Sequence, residues 1–395
     1  MFGQASGLNI NLSKCAAYPI HCHDVNLEDV LQGFPCPVKN FPCTYLGLPL
    51  HTRQLRRVDI QPIIDKVANK LPAWKGSFLN KSARLKLVNT VLSSIPVYFL
   101  TIFEPKKWAI KKLDKIRRAF LWKGTAEANG AQCLVAWDKI KRPKLAGGLG
   151  VLDLEKFSRA LRLRWLWFKW TDPDRPWVGY DIPCNETDKH LFRCSTVVTL
   201  GDGRTALFWD STWSDGVAPR DLAPHLYKLA WLKSLTVREE MQNQTWTWGL
   251  WRMSAAEEMA EFVLLWERVQ EVTFSDQADT ITWKWSANGL YSSKSAYGIQ
   301  FVGSYCTFNS SAIWKAKAEG KHRFFGWLLL QQKIQTADVL LVKGIPCNPV
   351  CCICDQAPET AAHLCLHCPF AQEVWFLVQT WTEGLINAPL PENSS

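Results

Sequence analysis

Between residues 59 and 170 the apolar positions keep a helical rhythm that proline repeatedly interrupts. Ile60, Ile63, Ile64, Val67 and Leu71 recur on one face, which predicts a helix with Asp59 as N-cap and Pro72 as its stop. A second helix is predicted from about Asn80 or Ser82 to Pro96, burying Leu87, Val88, Val91, Leu92 and Ile95. Lys81, Arg84 and Lys86 fall on its opposite face. A third follows Pro105 with the stripe Leu113, Ile116 and Phe120. A fourth runs from about Asp153 to Trp170, with Leu154, Phe157, Leu161, Trp165 and Phe168 inward and Arg159, Arg162, Arg164 and Lys169 outward.

Outside that block the pattern is shorter-ranged. Residues 1–52 read as strands and loops, with Gly47 and Pro49 punctuating an extended, largely buried piece. Val197–Leu200, a Gly201–Arg204 turn and Ala206–Trp209 read as a hairpin. Thr280–Trp285 alternates like a strand, and Asn288-Gly289 turns it into Leu290–Ser292. Residues 255–272, the stretch from Ser293 and about 321–332 read as helices. The expected fold class is therefore α+β and mainly helical.

Charge changes this picture, because it is unevenly spread. The chain of 395 residues carries a net +10. Residues 53–170 hold 26 Lys and Arg against 8 Asp and Glu, while 1–52 hold 2 against 3 and 171–395 hold 18 against 25. One segment contains all the excess positive charge. Over 107–123 the bias is seven to one, from Lys107, Lys111, Lys112, Lys115, Arg117, Arg118 and Lys123 against Asp114. A field of this kind attracts polyanions, so RNA or DNA held through phosphates is the expected partner. A solvated face that keeps the protein soluble is the competing reading. The residues expected to meet phosphate are Lys81, Arg84, Lys86, Lys111, Lys112, Lys115, Arg117, Arg118, Arg162 and Arg164.

No apolar run approaches the roughly 18 residues that span a bilayer, and the first residues lack the features of a signal peptide. An intracellular location, nucleus or cytoplasm, is expected, with the 14 Cys kept as thiols. Six of them lie between Cys347 and Cys368. Cys351 and Cys354 stand two residues apart, and His363 and Cys368 follow a short gap, which suits a tetrahedral zinc site. Cys347, Cys352, Cys365 and His367 are also within reach. Other candidates are weaker. Gly147-Gly148-Leu149-Gly150 has no Gly-Lys-Ser/Thr after it and reads as a tight turn. Asp210, Asp215 and Asp221 lack a His or Lys at a telling offset. His21, Cys22 and His23 have no second ligand pair.

Several stretches, in order, resemble the reverse transcriptase of plant non-LTR (LINE-type) retrotransposons. They are Ser6–Asn11, Tyr45–Leu50, Leu71–Gly76, Phe120–Gly124, Val135–Trp137 and Pro143–Gly150. Gly289–Tyr297, Trp314-Lys315, Phe324–Leu328, Thr336–Asp338, Glu359-Thr360 and the Cys351, Cys354, His363 and Cys368 set resemble the zinc-binding domain of such proteins. The resemblance implies a palm-edge remnant over 1–52, a basic helical thumb over 53–170, a mixed connector with short β-hairpins over 171–285, a helical zinc-binding module over 286–381 and a flexible tail over 382–395. It also favours those four ligands over their neighbours. The family's catalytic carboxylates sit in a Tyr-Ala-Asp-Asp motif upstream of the segment that Gly7–Asn11 resembles, and no Asp-Asp pair occurs anywhere here. Lys14 resembles a lysine near the palm edge. Two-metal nucleotidyl transfer needs those carboxylates. The expectation is a truncated reverse-transcriptase-like protein that is not itself an enzyme but retains zinc and nucleic-acid binding. A non-functional or protein-interaction remnant of a transposon reading frame is the alternative.

Overall fold

A computed structural model describes residues 6–7, 11, 15–22, 24–33, 36–70, 76–125, 127–128, 132–242 and 244–387. The expectations for His23, for Lys14, for most of the Leu8–Asn11 and Leu71–Lys75 stretches and for the tail from 388 lie outside these residues. The architecture is mixed α+β, dominated by helices, with two small antiparallel two-stranded sheets among the described residues. It divides into two compact units, Met1–Leu71 and Pro72–Ser395.

In the first unit β1 (Cys43–Tyr45) pairs antiparallel with β2 (Leu48–Leu50) in the register Cys43 to Leu50 and Tyr45 to Leu48. Leu46 and Gly47 form the two-residue turn, both in the left-handed region at φ 48° and 79°. That conformation matches the twist of a tight hairpin and is the reason for glycine there. Only Leu48 of this hairpin is buried, and Tyr45 and Leu46 are exposed, so the piece is less buried than its apolar composition suggests. α1 (Arg57–Ala68) buries Ile60, Ile64 and Val67, as the period predicts. Asp59 is not its N-cap. It sits one turn inside and accepts the Arg56 backbone N–H at 2.8 Å, closing the helix start from within.

The second unit begins with α2 (Lys81–Leu87), capped by the Asn80 side chain on the Ala83 N–H at 2.9 Å and continued by a π turn over Val88–Leu92. α3 (Val97–Ile102), α4 (Lys107–Lys123), α5 (Trp137–Lys141) and α6 (Leu154–Thr171) follow. Asp153 caps α6, accepting from the N–H groups of Glu155 and Lys156. α6 is the hub, with α3, α7 (Glu186–Ser195) and α10 (Ser293–Gly298) all packed against it. Ala160, Leu163 and Trp167 of α6 share one core with Trp283 and Ala296. Packing therefore runs on past residues 171 and 286, the expected ends of the thumb-like and connector segments.

β3 (Thr196–Thr199) pairs with β4 (Thr280–Trp283), Thr196 opposite Trp283 and Thr199 opposite Thr280. The expected hairpin between 197–200 and 206–209 does not form. The Asp279 carboxylate fills the intervening loop and accepts N–H bonds from Gly201, Gly203, Thr205 and Ala206 at 2.7–3.0 Å. Ala206, Phe208 and Trp209 then enter a second core with Val198, Trp246 and Leu265, between α8 (Val237–Gln242) and α9 (Ala256–Gln270). Likewise Asn288-Gly289 does turn the chain after β4, with Trp283 N–H on the Gly289 carbonyl at 2.7 Å, but no strand follows it.

The glycine run is a packing device, as its lack of a following Lys-Ser/Thr predicts. A Cβ on Gly148 would lie 2.0 Å from the Arg142 carbonyl, and the Gly147 carbonyl accepts the buried Trp327 indole N–H at 2.8 Å. Trp327 belongs to α11 (Gly320–Leu330), which also packs on α2. α12 (Ala337–Val342) and α13 (Pro369–Trp381) complete the chain's helices around the Cys/His segment.

Candidate metal centre

The segment before α13 turns twice within 19 residues. Val350 and Pro358 form a bridge, the Cys351 N–H meets the Ala357 carbonyl at 2.8 Å, and Asp355 takes a left-handed φ of 52° between them. This tight loop places Cys351 and Cys354 on one side. His363 then opens a π turn, His363–His367, that closes with the Cys368 N–H on the His363 carbonyl at 2.7 Å. Cys368 is the N-cap of α13 and Pro369 its first residue, so the sulfur sits at the start of that helix. Glu359 fastens the segment to α12 by accepting the Ala337 N–H at 3.0 Å. Its neighbour Thr360 accepts the His363 N–H at 3.1 Å and so fixes the start of that turn.

One donor atom from each of Cys351, Cys354, His363 and Cys368 lies within 4.8 Å of the others. The Cys354 sulfur is 3.2 Å from His363 Nε2. Tetrahedral zinc, with Zn–S near 2.3 Å and Zn–N near 2.0–2.1 Å, requires donors about 3.6–3.8 Å apart, which this cluster meets with small adjustments. Cys351 and Cys368 are fully buried, with Ala371, Leu364 and Cys354 around them. Burial opposes ionisation of Cys351, but N–H groups of Ile353 and Cys354 and the thiols of Cys354 and Cys368 outweigh it, so its thiol lies below its ordinary range. For Cys354 the Gln356 N–H favours the thiolate, while burial and the two neighbouring thiols push the other way and win, leaving it raised. Three thiols competing for negative charge around one imidazole are the surroundings that a dication relieves. The other nearby candidates point elsewhere. Cys352 is exposed, Cys347 donates toward the Ala337 carbonyl, and Cys365 and His367 stay outside the cluster.

Residues 291–375 match the family described as zinc-binding in reverse transcriptase. The matched segment contains all four clustered ligands, the Glu359 clasp and the glycine-docked helix α11. A curated protein of Arabidopsis thaliana named "Putative ribonuclease H protein" is 23% identical over 373 residues, covering 84% of this chain. The chain spans 57% of that protein's length.

The residues expected to meet phosphate separate into two groups. Lys86, Lys111, Lys112 and Lys115 are exposed, and Lys81, Arg118 and Arg164 are half-buried. Lys81 lies over the Trp122 ring at 5.9 Å and Lys112 over Trp108 at 5.6 Å. Lys111 and Lys115 have no ion pair with a carboxylate among the described residues. Arg84, Arg117 and Arg162 are corrections to the sequence-based set. Arg84 donates to the carbonyls of Gly76 at 2.9 Å and Trp122 at 3.1 Å, tying α2 to the end of α4. Arg117 is fully buried, bonded to Asp114 at 2.8 Å and to the Leu152 carbonyl at 2.5 Å beneath the Trp137 ring. Arg162 makes a bidentate pair with the fully buried Asp188 at 2.8 and 3.0 Å. These three hold helices together rather than facing solvent. Asp210 and Asp221 are likewise paired with Arg220 and Arg193, and Asp215 with Arg268. No helix among the described residues is long and apolar enough to cross a membrane.

Proposed function

We propose that this chain is the nucleic-acid-holding, zinc-stapled part of a LINE-type reverse-transcriptase system and supplies no polymerase chemistry of its own. Cys351, Cys354, His363 and Cys368 would hold one zinc ion in a closed tetrahedron. Such a site has no open position for water or substrate, so its role is to fix the Cys/His segment against α12 and α13. The match of residues 291–375 to a zinc-binding family of reverse transcriptases supports this reading.

The observation that carries the nucleic-acid half is the exposed face of α4. Lys107, Lys111 and Lys115 recur there at four-residue spacing, one above the other, without carboxylate partners among the described residues. Cations in a row on a rigid helix neutralise successive phosphates and release their counterions, which makes binding steeply salt-dependent. Nothing in such a row reads base edges, so it serves RNA and DNA alike. The missing Asp-Asp pair supports the absence of polymerase chemistry.

Titrating a labelled RNA hairpin at about 50 and 200 mM salt tests the proposal, with a loss of at least tenfold in affinity expected at the higher salt. Affinity indifferent to salt contradicts it. Primer extension on an RNA template with the same preparation is expected to yield no product.

A further inference from the structure

The structure assigns a second element of nucleic-acid recognition: we propose that the cleft between α6 and the 177–183 loop is a stacking slot for one unpaired nucleobase, with guanine favoured. This deepens the phosphate-binding reading above and rests on it.

The cleft measures about 340 Å3 and is lined by Trp165, Trp177, Tyr180, Asp181, Ile102 and Pro183 among others. That size lies at the lower end of the roughly 300–1,000 Å3 typical of small-molecule sites. Three of its walls are aromatic. The Trp165 indole N–H donates to the Thr101 carbonyl at 3.2 Å, which fixes the plane of that ring. Trp177 meets it edge to face, with centroids 4.7 Å apart and planes at 80°. Two indoles at a right angle make a corner in which a flat ring can lie on one and abut the other. Tyr180, 76% exposed, adds a third ring at the rim. Large aromatic surfaces left open at a cleft are what base stacking uses, since every base has a π face.

One polar feature points the slot to a nucleobase. Asp181 lines the cleft and has no hydrogen-bond or ion-pair partner among the described residues. A carboxylate only accepts, so it selects ring edges that present donors. Guanine offers two adjacent N–H donors on its Watson–Crick edge, and uracil offers one between two carbonyls. Ile102 lies five residues before Lys107, hence at most about 18 Å of chain from the first lysine of the α4 row. The Asn185 amide on Glu104 at 2.8 Å ties the segment between α3 and α4 to the start of α7, just after that loop. Lys169, exposed, stands one helical turn beyond Trp165 on α6. The α4 lysine row thus follows Ile102, one wall of the slot, closely along the chain.

Saturation-transfer NMR on the full chain, with guanosine and uridine as phosphate-free probes, tests the slot directly. Guanosine should give a saturable signal at least about tenfold tighter than uridine, lost in Trp177→Ala and retained in Trp177→Phe. Asp181→Asn should erase the preference while leaving stacking in place. No saturable guanosine signal in the wild-type chain, or one unchanged in a folded Trp177→Ala variant, overturns the proposal. A parallel titration separates it from the underlying reading. A short single-stranded oligouridylate with one guanosine should bind about tenfold tighter than the all-uridine strand, and Trp177→Ala should remove only that difference. If neither strand binds in a salt-dependent manner, the phosphate-binding reading fails, and the guanosine result still decides the slot.

Discussion

Cys352 and Cys354 differ by two positions and by everything that matters for metal binding. The tight loop turns Cys354 toward His363 at 3.2 Å and leaves Cys352 exposed. Purified protein should therefore carry about one zinc by elemental analysis, and either Cys354→Ser or His363→Ala should lose it while Cys352→Ser keeps it. Full zinc in Cys354→Ser would show that the ligands lie elsewhere. Spacing alone left eight candidates, because a Cys- and His-dense run offers several quartets. The backbone reversal at Asp355 and the helix start at Pro369 make the choice, and neither is written in the ligand spacing itself.

Glu240 is a second residue whose behaviour follows from its surroundings. It is 1% exposed, and its Oε2 has no hydrogen-bond partner. Burial, and then the charge of Glu239, push its carboxyl from an ordinary 4.5 up to about 7. The folded chain keeps this proton while the unfolded chain releases it, so stability falls as the pH rises from 4.5 through 7. The slope in that window is about 1.4 kcal/mol per pH unit. Glu240→Gln should raise the melting temperature at pH 8 and leave it nearly unchanged at pH 4. An equal shift at both would mean that Glu240 is not protonated in the fold.

At the scale of elements, four of the helices of 57–171 follow from their apolar period, while the short α3 and α5 do not show in it, and α6 buries Ala160 to Leu163 on all sides instead of one stripe. The β segments were harder to read for a definite reason. A hairpin was expected where Gly201–Arg204 turns the chain, but Asp279, more than seventy residues on, supplies the acceptors for that loop. Local turn chemistry cannot report a partner so distant in sequence. N–H bonds from Ala206, Gly201, Gly203 and Thr205 overcome the effect of burial and hold the Asp279 carboxyl below its ordinary range. Asp279→Ala should then cost at least about 2 kcal/mol in chemical denaturation at neutral pH, since hydrogen bonds to a charged group are the stronger kind. A loss of only a few tenths would show that water replaces the carboxylate freely.

Over the whole molecule, charge counting finds where the cations are concentrated but cannot sort them. The excess of positive charge between 53 and 170 includes Arg84, Arg117 and Arg162, which serve as internal ties between helices. Arg117 and Arg162 were hidden because their partners, Asp114 with the Leu152 carbonyl and Asp188, come together only in the folded chain. Breaking one of them should act on stability. Arg162→Ala leaves Asp188 buried beside Arg159 alone, and a loss of about 3–5 kcal/mol is expected. The lysines of α4 should act on binding instead. Their exposure leaves the fold indifferent to their removal, so the two kinds of cation separate cleanly between a melting curve and a titration.

The most direct measurement is the slope of log affinity against log salt for a single-stranded RNA, compared between the wild-type chain and Lys107→Ala/Lys111→Ala/Lys115→Ala. Each phosphate contact on a single strand contributes about 0.7 to that slope, so the triple variant should lose roughly 2 while melting at the wild-type temperature. An unchanged slope in a folded triple variant would contradict a nucleic-acid path along α4.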